Sequence, residues 1–200
     1  MKIGFIFECG PEGPDVQVCR YFVRRLDPNI GFVPVTLDNK PNLVEQCGEV
    51  AKILLQECRK VIVIWDLYPP WRDVKPCRYE DRQNILSSLQ GQNIDLNRVT
   101  LVCIREELEA WLMADIRAVT AVIAKLKHPH QVGRISQPRN PDNIPKPKTK
   151  LIKIFNQELR SRYVDTQHAL WIARAIPDCT RIRRSESFNR FALKVSGKVL

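Results

Sequence analysis

The run Val61-Ile-Val-Ile-Trp65, closed by Asp66, constrains the fold more than any other stretch of the chain. It carries no polar residue on either alternating face. Such a strand fits a sheet covered on both sides. Three weaker runs belong with it: residues 2–7, residues 32–36, where Pro34 argues for an edge or irregular position, and residues 98–104. Between them lie helical periods at about 14–27, 41–59 and 79–89. Strands alternating with helices predict βαβ units, and therefore a mainly parallel sheet of about four strands with helices on both faces.

The first 127 residues form this α/β core. Residues 128–148 contain five prolines and few large apolar side chains, and read as a basic surface loop. Helices at about 149–162, 165–176 and 186–195 follow, with Gly197 as the last stop signal. They are expected to pack back on the sheet, making residues 1–200 one domain. No apolar run approaches the roughly 18 residues of a membrane span. The N-terminus reaches Glu8 too soon for a secretory leader. The expected compartment is the cytoplasm.

Seven cysteines, an odd number with no CxxC pair, agree with a reducing compartment. Cys19, Cys58 and Cys103 read as small core residues. His128 and His130 flank a proline and lack the partners of a zinc site. The formal charge of +10 favours a polyanionic partner. Its excess lies late in the chain, at Lys146, Lys148, Lys150 and Lys153, and at Arg181, Arg183 and Arg184.

Acids stand where the strands end. Glu8 follows strand one, Asp66 follows strand three, and Glu106, Glu107 and Glu109 follow strand four. In an open parallel sheet that rim is where ligands bind. Clustered carboxylates repel one another unless a cation is present, and magnesium or manganese suits oxygen ligands. Asp15 stands at a helix start, where a carboxylate favours the helix dipole. The turn at residues 10–13 lacks both GxGxxG and GxxxxGK[ST], which disfavours nucleotide sites of those types.

The segment Arg105-Glu-Glu-Leu-Glu-Ala-Trp-Leu-Met-Ala-Asp115 is the most distinctive. A helix beginning near Glu106 would bury Leu108, Trp111 and Leu112 and turn Glu109 to the rim. Asp115 is either another ligand or the cap of a helix starting at Ile116. Ser185 and Ser187 read as caps of the last helix, with no histidine beside them to make a nucleophile.

These features together resemble the toprim-like superfamily. The chain is similar, more narrowly, to a small bacterial family of unknown function within it, through Glu-Ala-Trp-Leu112 and the late segment Arg184-Ser-Glu-Ser-Phe-Asn-Arg-Phe191. The resemblance implies a magnesium- or manganese-binding acidic site and kinship with nucleases of the overcoming-lysogenization-defect type. It also implies a role beside a partner ATPase in phage defence. It assigns Glu8 to the first-motif glutamate, Asp66 to the first acid of an Asp-x-Asp motif, and Glu109 to a later acid. That motif reads Asp66-Leu67-Tyr68 here, so its second acid is absent. Glu109, Asp115 or Asp73 is left to replace it. The expected activity is metal-dependent cleavage of DNA or RNA. Glu8, Asp66, Glu109 and Asp115 would be the metal ligands, and Lys148 would contact phosphate or stabilise the transition state. The alternatives are a non-catalytic module that binds nucleic acid or a partner protein, and a small-molecule phosphotransfer enzyme.

Overall fold

The computed structural model describes residues 1–68, 76–126 and 132–200. Strands β1 (Lys2–Phe7), β2 (Gly31–Thr36), β3 (Lys60–Asp66) and β4 (Val99–Ile104) form one parallel sheet in the order β2-β1-β3-β4. The fold is α/β and Rossmann-like. Helices α1 (Pro14–Leu26), α2 (Lys40–Leu54) and α3 (Arg78–Gly91) alternate with the strands. After β4 come α4 (Glu109–Met113), α5 (Ile116–Leu126), α6 (Pro147–Leu159), α7 (Asp165–Ala175) and α8 (Glu186–Ser196). Pro34 lies in β2, the edge strand, where its missing N–H interrupts no second ladder.

The pleat divides the core. Ile3, Phe5 and Phe7 of β1, with Ile62 and Ile64 of β3, join α1 and the helices from α4 to α8 on one face. Ile6, Val61, Val63 and Trp65 join α2 and α3 on the other. The C-terminal helices thus share one apolar cluster with the sheet. Cys19, Cys58 and Cys103 are buried, as their apolar contexts predict. Among the described residues, no helix is long and apolar enough to cross a membrane.

Three boundaries differ from the sequence expectation. Helix α2 ends at Leu54 and does not continue to about residue 59. The Arg98 guanidinium accounts for this, because it donates to the carbonyls of Leu55, Cys58 and Arg59 and satisfies the frayed end. Helix α4 starts at Glu109 and not near Glu106. Leu67 N–H donates to Ile104 O and Tyr68 N–H to Glu106 O, so residues 104–106 pair with the chain leaving β3 and stay outside the helix. Helix α6 starts at Pro147, which takes the first helical position. Lys148 therefore stands on a helix and not in the proline-rich loop.

Helices α2 and α3 meet at Gly48. A Cβ there would lie 2.3 Å from the carbonyl oxygen of Ser88, whose hydroxyl accepts from Gly48 N–H at 3.2 Å. Because the obstacle is backbone, Gly48→Ala is expected to cost at least about 2 kcal/mol. Urea unfolding checks this, and an unchanged midpoint would refute the close approach.

The proline-rich segment is anchored by a buried polar knot. Asp142, 1% exposed, accepts from Ser185 Oγ at 2.6 Å and from Ser187 N–H at 2.8 Å. Ser185 Oγ also accepts from Phe188 N–H and caps α8, as predicted. Ser187 has a different role: its hydroxyl accepts from Trp111 Nε1 at 2.8 Å. Trp111 is fully buried and packs on Phe188 and Phe191. Asp142→Ala leaves these donors unpaired and should destabilise the protein by about 3 kcal/mol, measured by urea denaturation. Asp142→Asn, which keeps the shape, should cost less.

Candidate functional site

The strand order reverses between β1 and β3. The chain leaves β1 through α1 toward β2, then returns to place β3 on the other side of β1. The C-terminal ends of β1 and β3 therefore border the crevice where open α/β sheets bind ligands. Glu8 and Asp66 stand at those two ends.

Glu8 extends the ladder by one bond, its N–H donating to Ile64 O. The chain then turns sharply, with Gly13 N–H donating to Gly10 O at 2.9 Å. A Cβ on Gly13 would come within 2.7 Å of Cys9 Cβ, so this close turn needs glycine. The turn delivers Pro14 and Asp15 to the first turn of α1, over the same crevice. Asp66, the last residue of β3, donates its N–H to Glu8 Oε2 at 3.2 Å. Its own Oδ1 is buried with no hydrogen-bond partner.

The far wall comes from beyond β4. Glu109 opens α4 and is only 3% exposed, and Tyr163 OH donates to its Oε1 at 3.4 Å. Glu107 accepts from Lys148 N–H at 3.0 Å. The Lys148 ammonium pairs with Asp165, the first residue of α7. Lys40, buried at the start of α2, pairs with Asp81 at 3.5 Å and donates to Leu67 O. Glu8, Asp15, Asp66, Glu107, Glu109 and Lys148 line one cavity of about 520 Å³.

The electrostatics follow from that crowding. Burial pushes Asp66 well above the ordinary carboxylate range, and Asp15, Glu8, Glu109 and Glu107 push it further. Burial lifts Glu8 to about 8 against the opposing charge of Lys40. It lifts Glu109 to about 8 against Lys148. Asp15 is also raised, chiefly by burial. Asp165 behaves oppositely: burial raises it, but the Lys148 ammonium outweighs that and holds it below its usual value. The cavity thus holds protons near neutrality on acids that would otherwise be ionised. Carboxyls with values near 8 are suited to moving a proton at that pH.

The structure brings together Glu8, Asp66, Glu109 and Lys148, all anticipated from the sequence. It does not bring Asp115 to them. Asp115 Oδ1 accepts from Arg117 N–H at the start of α5, and the residue lines a different cavity. Asp73, His128 and His130 lie outside the described residues, as does the segment from Pro69 to Arg72. Asp15, read from the sequence as a dipole-favouring residue, faces the cavity; its place directly after a glycine turn at a strand end was the available signal. Tyr163 and Asp165 had none, because they reach the rim from two helical elements later.

The donors fit a hard divalent cation in kind, since all are carboxylate oxygens and one buried oxygen lacks a partner. Among the described residues, no three His, Cys, Asp or Glu side chains are already grouped to hold a metal ion.

Fold and cavity together define a Rossmann-like α/β protein with an acidic pocket at its topological switch point. The chain belongs to the family described as domain of unknown function DUF4276, whose model matches residues 29–196. Asp66, Glu107, Glu109, Lys148 and Asp165 fall within the match; Glu8 and Asp15 precede it. No curated protein and no solved structure matches the chain.

Proposed function

We propose that the acidic pocket is the active centre of a metal-dependent phosphodiesterase that acts on nucleic acid. The observation that carries this reading is the unpartnered, buried Oδ1 of Asp66, set beside Glu8 at the switch point and surrounded by further acids. Asp66 and Glu8 would hold a magnesium or manganese ion, with Glu109 as the third acid. When bound, that ion would supply positive charge to the phosphate oxygens at the scissile group. Glu109, in its ionised form, would accept the proton of the attacking water as the new P–O bond forms. The leaving oxygen would take its proton from solvent as the old bond breaks. The ammonium of Lys148 would orient the phosphate and offset its charge, and Lys146, at the head of α6, would extend the contact.

A second reading has its own support. Among the described residues, the side chains are not grouped at metal spacing, and Tyr68 stands where a second acid is expected. The same fold would then serve as a non-catalytic module that binds nucleic acid or a partner ATPase. Labelled single- and double-stranded DNA and RNA, incubated with magnesium or manganese, separate the two readings. Metal-dependent cleavage supports the enzyme. Salt-sensitive binding with no cleavage, alone and with a partner ATPase present, would overturn it in favour of the module.

A further inference from the structure

A larger cavity, of about 1120 Å³, opens beyond the C-terminal end of α4, along α5. Arg117 of α5, Arg134, and the trio Arg181, Arg183 and Arg184 line it. All five are exposed. Among the described residues, none of their guanidinium groups donates a hydrogen bond or forms an ion pair. Asp115 is the acid in the lining, and its Oδ1 is already engaged by Arg117 N–H. Asp178, close to Arg181, spends its carboxylate on Thr180.

The cleft is built and not incidental. Gln137 fastens its rim: Oε1 accepts from Ile116 N–H at 3.1 Å, and Nε2 donates to Ala114 O at 2.8 Å. The turn Cys179–Ile182 sets Arg181, and the cap Ser185 fixes the chain just beyond Arg184. Like charges gathered around one space repel one another, and a chain of phosphates relieves that repulsion. Guanidinium forks match phosphate oxygens in pairs. The space is also larger than one phosphate needs.

We propose that this cleft binds the phosphodiester backbone of a nucleic acid strand, and that it is the main source of affinity. The inference rests on nucleic acid as the partner, but not on cleavage. The two cavities are joined by one short element. Glu109, which opens α4, lines the acidic pocket, and Asp115, between α4 and α5, lines the arginine cleft, so the two linings lie six positions apart in the chain. The cleft positions the strand and does not read bases, so it is indifferent to sequence.

The test is fluorescence anisotropy of the full chain with a labelled single strand of about 16 nucleotides, in EDTA, across a salt series. Arg181→Ala, Arg183→Ala and Arg184→Ala are combined in one variant. Affinity should fall about tenfold or more, and the slope of log K against log salt should flatten by about 2. The corresponding triple lysine variant should keep the slope. An equal loss of charge at exposed Lys52, Arg82 and Lys198 should leave the slope nearly unchanged. Unaltered binding by the alanine variant would overturn the proposal, as would an equal effect of the control triple or a wild type that does not bind. Because EDTA removes the metal, absence of cleavage in a separate assay leaves this result intact, and loss of binding leaves the acidic pocket untested.

Discussion

Asp66→Asn should reduce metal-dependent cleavage by about a thousandfold while raising the melting temperature of the metal-free protein. The two effects have opposite signs for one reason. Asp66 is held in a buried site among Asp15, Glu8 and Glu109, which disfavours its ionised form. The amide keeps the size and cannot ionise, so the metal-free fold no longer has to bury a charge or take up a proton at this position. The same change removes the oxygen charge that would bind a divalent cation, and with it most of the stabilisation given to the scissile phosphate. Groups that cost stability in this way cluster at working sites. Nuclease assays and thermal melts on the same preparations decide the matter. Activity retained in Asp66→Asn would remove the metal site from this position. Lower activity with a lower melting temperature would make Asp66 a structural residue. Glu8→Gln should behave like Asp66→Asn, since Glu8 lies on the other side of the same switch point.

The metal-free protein should lose stability as pH rises from about 5 to above 8, and magnesium should suppress the loss. Glu8 and Glu109 each rise from 4.5 to about 8 on folding. Between those values the folded chain keeps protons that the unfolded chain has released. Protons bound to the folded state alone make stability fall with rising pH. Their contribution is fully present below about 4.5 and is lost as pH passes through about 8. Together the two carboxyls amount to several kcal/mol. His168 opposes them below its ordinary value of 6.5, because burial lowers it and its protonation favours unfolding. That single group is outweighed by the two acids. Urea midpoints measured across this range, with and without magnesium, give the test. The Glu8→Gln, Glu109→Gln double variant should show a flatter curve. A flat curve for the metal-free wild type would mean that these carboxyls are not crowded as described.

Much of this architecture was legible in the residues. An apolar run without alternation at 61–65 requires cover on both faces, and the structure supplies α2 and α3 on one side and α1 with the late helices on the other. Pro34 predicted an edge, because a proline leaves one ladder position empty. Helix ends were less legible. The stop of α2 at Leu54 depends on Arg98, more than forty positions away, and no local signal carries that. The late start of α4 likewise depends on a backbone pairing between Tyr68 and Glu106.

The site divides in the same way. The sequence by itself placed Glu8 and Asp66 at the rim, since both end buried strands. A strand's end is a local property, and parallel strands put their ends on one side. Only the tertiary structure decided the company those acids keep. It set Asp15 among them, sent Asp115 to the arginine cleft, and brought Lys148, Tyr163 and Asp165 to the rim from α6, the α6–α7 link and α7, beyond a proline-rich connection. It also gathered Arg117, Arg134 and the Arg181, Arg183 and Arg184 trio into one cavity. Proximity between distant segments depends on how apolar faces pack, and that packing follows from the whole core at once.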